Sequence, residues 1–508
     1  MPNEVTIRTL IAQGNAARAA IAAPGATSLS RGRLLQQIDA TVAALRALGI
    51  KANDRVAIVL PNGPEMAVSF LAVASGATAA PLNPSYREEE FDFYLGDLEA
   101  KLLIVQAGVE SPVRAMAQRR GVPIVELTPN AGGPAGSFSL NRDQRPIAAA
   151  ANPSFAGPDD VALVLHTSGT TSRPKQVPLT HKNLMASADH IRTTLVLTPD
   201  DRCVNIMPLF HIHGLIGALL SSLSAEASLF CTPGFNALKF FAWLDEAEAT
   251  WYTAVPTMHQ AILPRAERNR DVIERRKLRF IRSSSSSLPP PVMAELEATF
   301  GCPVLESYGM TEASHQMTSN LLPPKARKAG TVGVAAGPEV AILDGEGNKL
   351  PQGEEGEVCI RGPNVTLGYF ANPAANESGF IKGWFRTGDQ GRFDEEGYLT
   401  ITGRLKEMIN RGGEKIAPRE VDEALLAHPA VAQAIAFALP HAKLGEEVAA
   451  AVVLREGQTA EEKELREFVS RRLADFKVPK RVLLLAEIPK GATGKPQRIG
   501  MAQRLGLV

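Results

Sequence analysis

The chain is poor in cysteine and has none in a paired spacing. Its four, Cys203, Cys231, Cys302 and Cys359, are far apart and never form C-x-x-C, so neither a zinc site nor a disulfide framework is expected, and buried thiols are. Neither sign of charge is in excess: Lys plus Arg and Asp plus Glu both total 54. That balance offers no electrostatic footprint for nucleic acid or for an anionic membrane surface. There is no run of about 18 apolar residues, so no membrane-spanning helix is expected. The start, MPNEVTIRTLIAQGNAARAA, lacks the charged stretch and unbroken apolar segment of a secretory signal. The final Gly-Leu-Val is not a peroxisomal address of the Ser-Lys-Leu type. A cytoplasmic protein acting on small molecules is the expectation that remains.

What is present is enough apolar material for more than one core. At 508 residues and 45% hydrophobic composition, two or more domains are expected. Apolar residues at Leu34, Leu35, Ile38, Val42, Leu45 and Leu48 step by three and four, which predicts an amphipathic helix within 30–50. A buried strand over 55–60, a helix around 66–75 and a strand over 101–106 continue the alternation. The chain therefore reads as α/β, with parallel strands between helices. The Gly-, Ala-, Pro- and Asn-rich stretch 129–158 reads as a surface loop. Beyond 403–406 the pattern becomes a small α+β tail, with helices near 421–426 and 461–473 and strands near 432–439 and 448–454. The expected division is a large N-terminal domain of layered α/β subdomains, 1–403, and a C-terminal domain, 404–508.

The apolar strand 161–165 runs into His166-Thr167-Ser168-Gly169-Thr170-Thr171-Ser172-Arg173-Pro174-Lys175. Hydroxyls and free backbone N–H groups wrap phosphate oxygens, and a lysine adds positive charge. No Walker A pattern occurs, which removes the main support for a P-loop ATPase. Taken alone, the run is equally an ordinary Ser/Thr-rich turn. With its neighbours it resembles the phosphate loop of the adenylate-forming superfamily of acyl-CoA synthetases, luciferases and peptide-synthetase adenylation domains, with Ser172 and Gln176 at two positions usually held by glycine. The resemblance spans nearly the whole chain and implies ATP-binding roles for Thr167, Ser168, Gly169, Thr170, Thr171 and Lys175.

Further motifs follow in the superfamily's order. Tyr308-Gly309-Met310-Thr311-Glu312 resembles the segment in which tyrosine stacks on adenine, threonine contacts the α-phosphate and glutamate holds Mg2+, a hard cation that takes oxygen ligands beside phosphates. Asp389, in Trp384-Phe385-Arg386-Thr387-Gly388-Asp389, matches the carboxylate that binds the ribose hydroxyls. Arg404 matches a nucleotide contact and Lys406 the hinge of a mobile C-terminal lid. Lys495, in the loop 489–495, matches the lysine that stabilises charge as a carboxylate attacks the α-phosphate. Gly412 and Gly413 match the loop lining the coenzyme A tunnel, where glycines permit close approach. The implied catalytic set is Lys495, Thr311 and Glu312, with ATP and CoA as co-substrates, Mg2+ as cofactor, and a monomer or homodimer as the working form.

His211 and His213, in Pro208-Leu209-Phe210-His211-Ile212-His213-Gly214, and Ser284, Ser285 and Ser286, in the run 282–289, fall where the superfamily builds its acyl pocket. Hydroxyls and imidazoles there would be left unsatisfied by a hydrocarbon chain, so a small polar acid is expected. His315, three residues beyond Glu312, is expected one helical turn along, facing the distal end of that acid. Taken singly, each histidine is more often a structural hydrogen-bonder than a ligand. Together FHIHG, SSSSSL, TEASH, CIRGPNVTLGY and NRGGEKI are similar to the oxalate:CoA ligases of plants and fungi, which implies oxalate as the acid. The alternatives are a ligase for malonate or another short or medium-chain acid, an adenylation domain loading a carrier protein, and a non-catalytic nucleotide-binding protein.

Overall fold

Ser30 accepts a hydrogen bond from the backbone N–H of Arg33 and opens the helix Arg31–Ala47, whose Leu34, Ile38, Val42 and Leu45 are buried. The same logic of a cap, an apolar stripe and a short buried strand repeats through the first half of the chain. A computed structural model describes residues 5–167, 174–490 and 496–508. Of these, residues 5–167, 175–339 and 361–378 form one compact unit, and 174, 340–360, 379–490 and 496–508 form another.

The first unit is built on two sheets. In the eight-stranded sheet, Thr78–Pro81, Arg55–Val59, Leu102–Gln106 and Ile124–Pro129 run parallel, as helical crossovers require. Val161–Thr167 joins them in parallel, and Lys175–Thr180 folds back antiparallel on its far side. The opposite edge is a correction to the expected loop over 129–158. Phe138–Arg142 pairs antiparallel with Ile124–Pro129 and is followed by Arg145–Pro146. Phe138 and Leu140 alternate inward around exposed Ser139, a period of two too short to stand out among the flanking glycines and prolines.

In the nine-stranded sheet, six strands run parallel: Val304–Met310, Phe280–Ser283, Trp251–Ala254, Arg202–Asn205, Ser228–Cys231 and Ala19–Ala22, in that spatial order. His315–Ser319 and Val334–Ala335 extend it antiparallel beyond Val304–Met310. Trp251 and Phe280, both fully buried, pack with ring centroids 5.3 Å apart at its centre. All four cysteines are buried and unpaired. Segments 206–214, 284–288 and 311–315 leave the carboxyl ends of these strands, where ligands bind in α/β folds.

The second unit holds two five-stranded sheets. In one, Trp384–Phe393 pairs antiparallel with both Gly356–Arg361 and Leu399–Arg404. In the other, Val431–His441 and Gly445–Leu454 form a long antiparallel pair against the helices Pro418–Leu426 and Glu462–Ser470. The helix expected from 421 starts at Pro418 because proline is suited to a first helical position. Among the described residues no helix is long and apolar enough to cross a membrane.

Asp422, buried on the helix Pro418–Leu426, accepts from both terminal guanidinium nitrogens of Arg498 and from the backbone N–H of Ala436. Arg498 Nε lies 3.2 Å from Glu407. Removing the carboxylate leaves a largely enclosed cation short of its main counter-ion, so Asp422→Ala is expected to destabilise this unit by about 3–5 kcal/mol. Urea unfolding of the variant checks this; a loss within experimental error of zero would contradict it.

Candidate active site

Thr167 ends one strand and Lys175 begins the next, directly opposite it in register, with Gln176 opposite His166. Ser168, Gly169, Thr170 and Thr171 lie outside the described residues. Gln176, at a position where the superfamily usually has glycine, turns its amide onto Asp97 and donates to its carbonyl (2.6 Å) and to Oδ2 (2.8 Å). The same Oδ2 accepts from His166 Nε2 at 2.9 Å. Burial lowers the His166 pKa against the opposing pull of Asp97.

Glu312 is buried in the turn Thr311–Ala313. The Tyr369 hydroxyl donates to its Oε1 at 2.8 Å, and Lys175 Nζ sits 4.5 Å from the centre of the Tyr369 ring. Burial, and then the Glu312 charge, raise the Tyr369 pKa far above the usual phenol range, so the group remains a donor. Tyr369 thus ties the lysine of the phosphate segment to the glutamate expected to hold a metal. It lies inside CIRGPNVTLGY, which sequence reasoning quoted for resemblance without giving the tyrosine a role. The donor chemistry at Glu312 fits Mg2+, a hard cation that takes carboxylate oxygen ligands. No cluster of three His, Cys, Asp or Glu among the described residues offers a competing cage.

Tyr308, Gly309 and Met310 finish their strand half-buried. A β-carbon at Gly309 would lie 1.7 Å from the His315 carbonyl oxygen, so only glycine lets the chain double back there. Ser314 and His315 have φ of 50° and 102°. These values correct the expectation that His315 sits one helical turn past Glu312. The turn reverses direction, and His315 opens a strand opposite Met310.

On the acid side the structure brings His213, Ser285 and His315 together. The two imidazoles stack at 4.9 Å with 22° between planes. His213 Nδ1 lies 3.0 Å from Ser285 Oγ, and Nε2 lies 2.6 Å from Thr253 Oγ1. Ser285 holds a left-handed backbone, φ 72°, the kind of local strain that collects at functional sites. His213 begins a π-helical stretch, His213–Leu220, a rare form also associated with such sites. A β-carbon at Gly217 in that stretch would lie 2.6 Å from His315 Nε2. The other expected acid contacts are not drawn into this cluster. Ser284 is buried but donates its hydroxyl to the Ser307 carbonyl (3.0 Å), Ser286 is exposed, and His211 is half-buried beside Phe210.

Sequence reasoning missed Arg282, Thr253 and Gln316. Arg282 is fully buried and donates to His315 Nε2 (3.0 Å) and to Gln316 Oε1 (3.3 Å). Its signal was a charged residue inside the apolar strand segment Phe280-Ile281-Arg282.

In the second unit, Asp389 is buried and accepts from Arg404 Nε at 2.9 Å, the two facing each other across paired strands. Lys406 is exposed. Gly412 and Gly413, with φ of 61° and 100°, form the two-residue turn between Ile409–Arg411 and Glu414–Ile416, where two successive positive values favour glycine. Lys495 lies outside the described residues.

In the first unit the motif residues thus meet in two places, Lys175 with Tyr369 and Glu312, and His213 with Ser285 and His315; in the second, Asp389 pairs with Arg404. The AMP-binding enzyme model matches residues 10–370, and the AMP-binding enzyme C-terminal domain model matches 420–495. The chain is 48% identical over 491 residues to the oxalate--CoA ligase of Arabidopsis thaliana, covering 96% of this chain and 95% of that one. It is 46% identical over 477 residues to the oxalate--CoA ligase of Saccharomyces cerevisiae, covering 89% and 87%. Among solved structures, ATP-bound MatB from Rhodopseudomonas palustris superposes with a TM-score of 0.87 at 31% identity, covering 98% and 99%. The chain belongs to the AMP-binding enzyme family and is an acid:CoA ligase within it, using ATP and coenzyme A as substrates.

Tyr369→Phe removes the hydrogen bond that the tyrosine donates to Glu312 Oε1. Hydrogen bonds to charged groups contribute about 1.5–3 kcal/mol, so the KM for ATP-Mg is expected to rise about tenfold or more while the KM for the acid moves little. Steady-state kinetics in each substrate test this, and an unchanged KM for ATP would contradict it.

Proposed function

We propose that the acid is oxalate, that the enzyme converts it to oxalyl-CoA with release of AMP and pyrophosphate, and that the acid binds at the His213–Ser285–His315 cluster. The observation that carries this reading is the cluster itself: two stacked imidazoles and a strained serine, in a buried site with Thr253 and Gln316. A hydrocarbon tail there would bring no opposite charge to the buried Arg282 guanidinium behind His315, whose hydrogen bonds go to an imidazole and an amide. A second carboxylate supplies that charge. Two relatives close to half identical over most of their length carry oxalate in their names, which supports the same substrate.

In the first half-reaction a carboxylate oxygen of the acid attacks the α-phosphorus and pyrophosphate leaves. In the second, the thiol sulfur attacks the acyl carbonyl and AMP leaves. Thr167 to Thr171 and Lys175 hold the phosphates, Thr311 contacts the α-phosphate, Tyr308 to Met310 face the adenine, and Asp389 with Arg404 holds the ribose. Lys495 supplies the cation that stabilises charge building at the reacting phosphate. Glu312, oriented by Tyr369, would hold Mg2+, which offsets negative charge on the nucleotide. Residues 404–508 act as a lid hinged at Lys406, and Gly412 and Gly413 line the passage for the thiol. The enzyme works in the cytoplasm as a monomer or homodimer.

Turnover over a panel of acids, followed by pyrophosphate release and CoA consumption, tests the substrate. Oxalate is expected to give the highest kcat/KM, and CoA-dependent AMP formation from a monocarboxylate but not from oxalate would overturn the assignment. Lys495→Ala is expected to cut acyl-adenylate formation by about a hundredfold or more, with folding retained. Gly413→Leu is expected to preserve adenylation and block thioester formation; equal losses in both half-reactions would contradict the role given to the Gly412-Gly413 turn.

A further inference from the structure

The cluster proposed to bind the acid stands on a buried cation. Arg282 has no solvent exposure, and the groups it donates to are an imidazole and an amide, neither of them an anion. Its Nε has no hydrogen-bond partner. Burial lowers its pKa only to about 9, so the guanidinium carries its charge at neutral pH. A buried charge without a paired opposite charge costs several kcal/mol, and such a charge is sustained where a ligand brings the opposite sign.

Its hydrogen bonds also determine what the neighbouring histidine can do. A guanidinium has only donors, so the 3.0 Å contact makes His315 Nε2 an acceptor and leaves the imidazole proton on Nδ1. Gln316 is held in the matching sense. Its amide nitrogen donates to Thr194 Oγ1 and to the Ala336 carbonyl, both at 3.1 Å, which turns Oε1 toward Arg282. Gly217 keeps the space in which His315 and His213 stack. The histidine therefore enters the cluster as an N–H donor polarised from behind by a full positive charge.

We propose that Arg282 is the specificity-determining positioning residue of the acid pocket: it fixes His315 as an Nδ1–H donor and supplies, one imidazole away, the charge that compensates the non-reacting carboxylate of a short dicarboxylic acid. This rests on the assignment of the His213–Ser285–His315 cluster to the acid. Arg282 does not touch the reacting atoms. It selects between acids by making a second negative charge favourable where a neutral or apolar substituent gains nothing.

The test compares oxalate with acetate, a monocarboxylate of similar size, in the full-length wild type, Arg282→Gln and Arg282→Lys, with ATP and CoA saturating. Truncating one member of a buried charge interaction costs a factor of about a hundred, so Arg282→Gln is expected to raise the KM for oxalate by that order. The oxalate-over-acetate ratio of kcat/KM should fall in proportion and the KM for ATP stay within about threefold. Arg282→Lys, which keeps the charge, should recover part of the ratio. A ratio that stays at the wild-type value in Arg282→Gln, or equal loss toward both acids in both variants, overturns the proposal.

Histidine-selective 15N correlation spectra of the wild type, with the His315 signal identified by its loss in His315→Gln, supply a readout independent of turnover and of variant folding. Nδ1 should be the protonated nitrogen, and a protonated Nε2 overturns the proposal. A wild type that prefers acetate to oxalate would refute the oxalate assignment, whereas the spectrum would still decide whether Arg282 fixes the imidazole.

Discussion

A β-carbon at position 309 would sit 1.7 Å from the carbonyl oxygen of His315, and the course of the chain from Tyr308 to His315 depends on that atom being absent. The close approach lets Val304–Met310 turn through Thr311–Ala313 and return as His315–Ser319. One short reversal therefore carries Tyr308 and Glu312, proposed to serve the nucleotide, and His315, proposed to serve the acid. The positive φ values at Ser314 and His315 are the conformational cost of that tight return. It is sustained by a surround of buried hydrogen bonds, among them Ser187 to the Ser314 carbonyl (2.6 Å) and Asn364 to the Ala313 carbonyl (2.8 Å). The two substrates of an adenylation must meet within bonding distance, and a single rigid hairpin is a direct way to fix their spacing.

The two ends of the hairpin use different electrostatics. Around Glu312 a carboxylate accepts from a neutral phenol, and the Lys175 ammonium lies over the same ring. Around His315, the proposed acid end, hydroxyls and imidazoles dominate, backed by one enclosed guanidinium. The cluster joins side chains from separate segments of the sheet. Strand ends of a parallel sheet converge on it, which is why residues more than a hundred positions apart, His213 and His315, form one stack.

Much of this was legible in the sequence. The helix 31–47, the strand 55–59 and the α+β tail were visible because caps, periodicity and short apolar runs agree there. The family was legible because its motifs sit in contiguous residues. Three features were hidden, each for a physical reason. The hairpin at 138–146 buries only alternate residues in a composition dominated by turn formers. The reversal at Ser314–His315 depends on left-handed backbone at non-glycine residues, which spacing does not reveal. Arg282 and Thr253 act through contacts across strands, and sequence distance says nothing of those. Of the three serines picked from the run at 283–287, only Ser285 reaches His213, because its neighbours alternate between the sheet interior and the surface.

The central claim, that a carboxylate oxygen of oxalate attacks the α-phosphorus before any thioester forms, is tested most directly by isotope transfer. With oxalate labelled at every oxygen with 18O, and unlabelled ATP and CoA in ordinary water, mass spectrometry of the products should find one labelled oxygen in AMP and none in pyrophosphate. AMP without label, or label in pyrophosphate, would contradict the account.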